Sequence, residues 1–218
     1  ILGSDWARLP PLMRERFAIR PFSDDALTLE GTLDVAVSPL MRLIARLSGT
    51  FVSRSGRAVP VTVRFRSAKH TVGVVFDRSF HFAGGEQRFV SCMEPIGGNE
   101  LVEFLRFGVG WKVACRWTGQ SVVFAHRGYV WRLFGILVPL PLGLLIGAGH
   151  GEETPTSEDG FTLAAYAAHP WFGTTFSYGG PFRLTRAQAV TGSNGLGILS
   201  PGDKITLALH QVRNLSKV

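Results

Sequence analysis

A chain of 218 residues that is 45% apolar and 18% charged has material for one folded core and too little charge for a disordered polymer. Its 26 glycines, 16 phenylalanines and 12 prolines favour strands and turns over helices. The net charge of +7 falls within residues 1–132 on arginines that stand singly along the chain. That spacing indicates solvated sheet faces, and with no zinc-finger, helix-turn-helix or RNA-recognition signature it argues against a nucleic-acid partner.

Trp6 to Phe17 places Leu9, Leu12, Met13 and Phe17 at near-helical spacing behind Pro10 and Pro11 and predicts a short docking helix. Ala26 to Val37 alternates apolar with polar residues and predicts a strand. Ser38-Pro39 then reads as a cap with proline at the first helical position. A helix follows with Leu40, Leu43, Ile44 and Leu47 as its stripe, closed by Gly49. Further strands are expected at Val59 to Arg66, at His70 to Phe82 and at Gln87 to Glu94, the last two joined by a tight Ala83-Gly84-Gly85-Glu86 turn.

The odd positions from Leu101 to Trp117 are apolar except Glu103, which predicts one strand of unusual length bent at Gly108 and Gly110. The return strand, Ser121 to Phe134, runs into a segment without charge from Leu133 to Gly149, interrupted by Pro139, Pro141 and several glycines. Those breaks argue against a membrane-spanning helix. We expect Leu133 to Val138 to be buried and Leu142 to Ile146 to be exposed as a lid or a bilayer contact. Gly151 to Asp159 reads as an acidic loop, and Phe161 to Ala168 with Thr174 to Leu184 as a last hairpin. Residues 185–218 read as a linker and tail, with a small strand at Ile205 to Leu209. The expectation is therefore an α+β, mostly β domain over residues 1–184: a curved antiparallel sheet or partial barrel of about eight strands with one or two packing helices.

No phosphate loop or serine nucleophile elbow is present, because Gly108-x-Gly110 lacks a third glycine and a following helix. His150 beside Glu152 and Glu153 would need His126 or His169 to complete a metal site, and a polar surface turn is the simpler reading. Glu103 interrupts an apolar face: it either reaches solvent near the strand start or is buried against a cation such as Arg78. No catalytic residue, metal or cofactor is expected. The ligand-contact candidates are Arg78, Glu103, Phe107, Trp111, Trp131 and Tyr178, aromatic or charged side chains assigned to the concave face. Cys92 and Cys115 read as buried thiols. With no leader in view they suggest a cytoplasmic protein, with peripheral membrane contact through Leu142, Leu144, Leu145 and Ile146. The start at Ile1 rather than methionine suggests a processed or excised piece.

The succession Ile1-Leu2-Gly3 to Leu9-Pro10-Pro11, Phe76-Asp77-Arg78-Ser79-Phe80, Trp131-Arg132-Leu133-Phe134-Gly135, Val138-Pro139-Leu140-Pro141 and Asp159-Gly160-Phe161 resembles a bacterial domain-of-unknown-function family over about residues 1–184. The resemblance implies a domain found alone or fused to a saccharopine-dehydrogenase-like module, and it assigns no catalytic residue. Phe17 stands where such sequences tend to have a histidine. The aromatic concave face leads to the expectation of a non-enzymatic binding module for an apolar or amphipathic, lipid-like molecule, and the fusion that the resemblance implies suggests, as the alternative, an accessory domain of a redox enzyme system. A structural or interaction domain is the third.

Overall fold

The computed structural model describes residues 1–185. From residue 186 on, the expected tail lies outside the described residues. The chain is mostly strand: β1 (Ala26–Val37), β2 (Gly56–Arg66), β3 (Val74–Phe82), β4 (Gly85–Gly97), β5 (Glu100–Phe104), β6 (Val109–Trp117), β7 (Val122–Leu133), β8 (Ile136–Leu140), β9 (Ala148–Pro155), β10 (Gly160–His169) and β11 (Gly173–Thr185). Short helices interrupt it: α1 (Pro11–Arg16), α2 (Pro39–Ser48) and α3 (Gly143–Ile146).

Every neighbouring pair is antiparallel, and the order β6-β5-β4-β3-β2-β1-β11-β10-β9-β7 returns to β6 through a β6–β7 ladder. The sheet is thus a closed ten-stranded barrel with β8 as an extra strand, more closed than the partial barrel of about eight strands expected. Two features account for the difference. Glu103 pairs with Trp111 and Leu105 N–H donates to Val109 C=O at 2.7 Å, so the supposed single strand is the hairpin β5–β6. Because an odd residue faces an odd residue across this hairpin, the period-two pattern runs through the turn unbroken and hides it. The turn itself is made by Phe107 and Gly108, both at positive φ.

The second feature is β9, which the sequence presents as an acidic loop. Its alternation is real, but Gly149 and Gly151 occupy inward positions, where a Cβ would lie 2.7 Å from the Trp111 indole and 3.3 Å from the Phe124 ring. Neighbouring aromatic rings fill the space that β9's own side chains would otherwise take.

β7 serves two partners on one edge. Val122 to Ala125 pair with β9; an extra residue then bulges the strand between its pairings to Lys112 and Val113, and Tyr129 to Leu133 pair with β8. Where β7 leaves β9, the chain from β8 through α3 folds over the barrel end.

The lower end is covered by Leu2, Leu9, Leu12 and Met13, all buried. The expected docking helix is in fact a 3-10 turn (Gly3–Arg8) and α1, parted at Leu9-Pro10. At the upper end, the Ser38 hydroxyl accepts Met41 N–H and Gly49 closes α2 in the left-handed conformation. The buried face of α2 is Met41 and Ala45; of the expected stripe, Ile44 packs against the core while Leu40, Leu43 and Leu47 point outward. In the uncharged segment, Phe134, Ile136 and Val138 are exposed rather than buried; Leu144 and Leu145 are exposed as expected, whereas Ile146 is buried and Leu142 packs against the core. Among the described residues, no helix is long and apolar enough to cross a membrane.

Candidate functional site

Inward side chains divide the barrel interior into two apolar chambers separated by a charged waist. At the waist, Arg78 donates to Ser91 Oγ at 2.8 Å and to Glu103 Oε1 at 2.7 Å, and Ser91 donates to the same carboxylate oxygen at 2.6 Å. Glu103 is buried rather than solvent-facing. The Arg78 guanidinium also lies 4.6 Å over Phe89. Burial opposes the Arg78 charge most strongly, but Glu103, with Tyr178 and Glu153, outweighs it and the pKa is raised. Arg16 enters from α1 and donates to Glu153 Oε1 at 2.9 Å, its guanidinium 4.0 Å over Phe65. Arg16 Nε and Glu153 Oε2 are buried without a partner beside a void of about 60 Å³.

The upper chamber measures about 270 Å³, close to the lower bound of about 300–1,000 Å³ typical of ligand cavities. Glu103 and Tyr178 form its floor, Trp111, Tyr129 and Phe176 its walls, and Met41 and Ile44 of α2 part of its rim. Leu142, Leu145 and Ile146 of the α3 segment close it. That lid is tied down through its carbonyls: Tyr129 Oη donates to Gly147 O at 2.9 Å, Thr175 Oγ1 to Ile146 O at 2.6 Å, and His169 Nε2 lies 3.2 Å from Leu144 O. These bonds occupy carbonyls that so short a helix leaves open. Trp111 Nε1 donates to His126 Nδ1 at 2.9 Å and Gly149 N–H to the same nitrogen at 3.4 Å. Two donors on Nδ1 require it to be unprotonated, and burial lowers the His126 pKa accordingly. Burial raises the phenols, Tyr129 to about 12.

Arg106 stands at the mouth. It lies 5.1 Å over the Phe107 ring, its Nε is buried with no acceptor, and no carboxylate pairs with it among the described residues. The sequence reading missed it, because a single arginine in a turn resembles any solvated cation. The one available signal was its place beside the Gly108 turn.

Among the sequence candidates, Arg78 and Glu103 meet in the waist, and Trp111 and Tyr178 line the chamber. Phe107 is 69% exposed at the mouth. Trp131 is 39% exposed and lies outside the cavity wall, its indole donating to Phe107 O at 2.8 Å to brace the turn. His150 reaches the chamber edge beside Tyr166. Alternation sends Glu152 and Glu153 to opposite faces of β9, and no group of three or more metal-ligating side chains occurs among the described residues. Cys92 is half-buried and Cys115 buried. Both are free, with burial pushing the thiols up to about 11 and about 12.

The lower chamber, about 590 Å³, is lined by Trp6, Phe17, Phe65, Phe76 and Met93 among others. Its two cations, Arg16 and Arg20, are already paired with Glu153 and Asp25.

The family model described as a domain of unknown function, DUF4166, matches residues 9–182. The chain belongs to the DUF4166 family. The match spans the barrel up to Phe182 in its last strand and names no activity. This DUF4166 barrel is also similar to the crystal structure of Rv2717c from M. tuberculosis, with 10% identity over 82% of this chain and 99% of that chain and a TM-score of 0.44. No curated protein matches it.

Proposed function

We propose that this DUF4166 domain is a non-enzymatic binding module for an amphipathic, lipid-like molecule. Its tail enters the upper chamber and its anionic head meets Arg106. The observation that carries this reading is the unpaired Arg106 guanidinium at the mouth of an apolar chamber whose other charges are already matched. A cation without an acceptor at such a mouth is the arrangement an incoming carboxylate or phosphate completes. Arg78, the head-group contact suggested by the sequence, is neutralised by Glu103 and serves instead to hold the chamber floor.

A titration with a fluorescent fatty-acid analogue, competed with dodecanoate, tests this. The intact chain should bind the probe, and Arg106→Gln should weaken it by about tenfold or more, the worth of a hydrogen bond to a charged group. Dodecanoate should also raise the melting temperature. Absence of both probe binding and a melting shift would remove the reading.

The redox-accessory alternative rests on the fusion that the family resemblance implies. It needs convergent titratable groups in the chamber, whereas Glu103 is held by Arg78 and Ser91, and His126 by Trp111 and Gly149. Those partners favour binding over proton transfer.

A further inference from the structure

The upper end of the barrel carries α2, the β7–β8 turn, α3 and the β10–β11 turn, because β1 and β10 end there and β11 begins there. On it, Leu43, Leu47, Phe134, Leu144, Trp171 and Phe172 are all exposed. Beside them a surface concavity of about 810 Å³ is lined by Arg42, Arg46, Arg54 and Arg57 and by no carboxylate. None of these four arginines stands in an ion pair among the described residues, whereas Arg20, Lys69, Arg88, Lys112 and Arg132 each stand against an aspartate or glutamate. Unmatched cations and unmatched apolar side chains therefore coincide at one end.

We propose that this end docks on the surface of an anionic lipid bilayer. α2 shows how both features would be used. Met41 and Ala45 hold it to the barrel, leaving Leu43 and Leu47 to project outward alongside Arg42 and Arg46. A helix lying in a bilayer surface presents this pattern, leucines at the acyl boundary and arginines on the phosphates. Trp171, at the tip of a turn and 86% exposed, suits the headgroup layer where tryptophan concentrates. A nucleic acid would use the arginines but gain nothing from the leucines. The docking is independent of what that chamber holds, since vesicle binding and probe binding are read separately.

Co-sedimentation of the intact chain with vesicles of phosphatidylcholine alone, or mixed equally with phosphatidylglycerol, tests it. The chain should partition onto the mixed vesicles and be released by salt. Arg42→Gln with Arg46→Gln should weaken partitioning by about fivefold for each arginine removed. Leu43→Ser with Leu47→Ser should also weaken it while leaving the salt dependence unchanged. All four positions are exposed, so the fold persists in both variants. Equal partitioning onto the two vesicle types would overturn the proposal. So would a leucine variant that binds like the parent, which would indicate simple attraction to a polyanion.

Discussion

Arg78 and Glu103 take two opposite charges out of water in the middle of an apolar barrel, and each is tolerable only because the other is there. Arg78→Leu alone should cost about 3–5 kcal/mol in urea denaturation by leaving a bare buried carboxylate, and Glu103→Leu a similar amount. The double replacement should cost far less than the sum; additive costs would show that the two do not act as a pair. His126 gives a pH-dependent counterpart. Its folded pKa lies below the ordinary 6.5 because it is buried. Its contribution to stability is therefore complete above about 6.5 and is lost as pH falls from there toward the lower folded value. His126→Gln keeps an acceptor for Trp111 and cannot titrate, so the melting temperature of this variant should fall less than the parent's on mild acidification. Equal losses would place the sensitivity in other groups. Residues of this kind were partly legible in the sequence. Glu103 betrayed itself by breaking an apolar face, and Arg78 was an available partner one hairpin away. Arg106 was not legible, since its significance is a lack of neighbours, which only the folded arrangement reveals.

Elements marked by local chemistry were legible to the residue. β1 and the Ser38 and Gly49 ends of α2 depend on alternation and capping, which act within a few positions. Which face of α2 is buried depends on its docking, where Ala45 allows close approach to the barrel rim while the bulkier leucines stay outside. The four upper arginines were likewise invisible as a group, because α2 and the loop after it bring together residues that are never adjacent in the chain. The α3 segment makes the same contrast testable. Leu144 is 80% exposed and Ile146 only 8%, two positions apart in a run that reads as uniformly apolar. Leu144→Asp should change unfolding free energy by no more than about 0.5 kcal/mol. Ile146→Asp should cost at least about 3 kcal/mol, since it buries an unpaired carboxylate. Equal, small effects at the two positions would mean that the lid does not pack on the barrel in solution.

Closure belongs to the whole molecule. A ten-strand ring leaves no open sheet edge along its length, yet its ladders are unequal. β1 pairs along nearly its full length with β2 and β11, whereas β7 and β9 meet only from Val122 to Ala125 before the bulge diverts β7 to β8. At that gap the upper chamber is covered by the α3 segment rather than by strand, held through the carbonyls of Leu144, Ile146 and Gly147. The ring should therefore open first at this seam. Native-state hydrogen exchange should show β8 and α3 (residues 136–146) exchanging through a low-energy local opening, while β1, β2 and β11 exchange only near global unfolding. If the chamber is a binding site reached through this cover, saturating dodecanoate should slow exchange in residues 136–146 more than in β1. Uniform protection around the ring would instead make the barrel one cooperative unit, with any ligand entering at the Arg106 mouth without displacing α3.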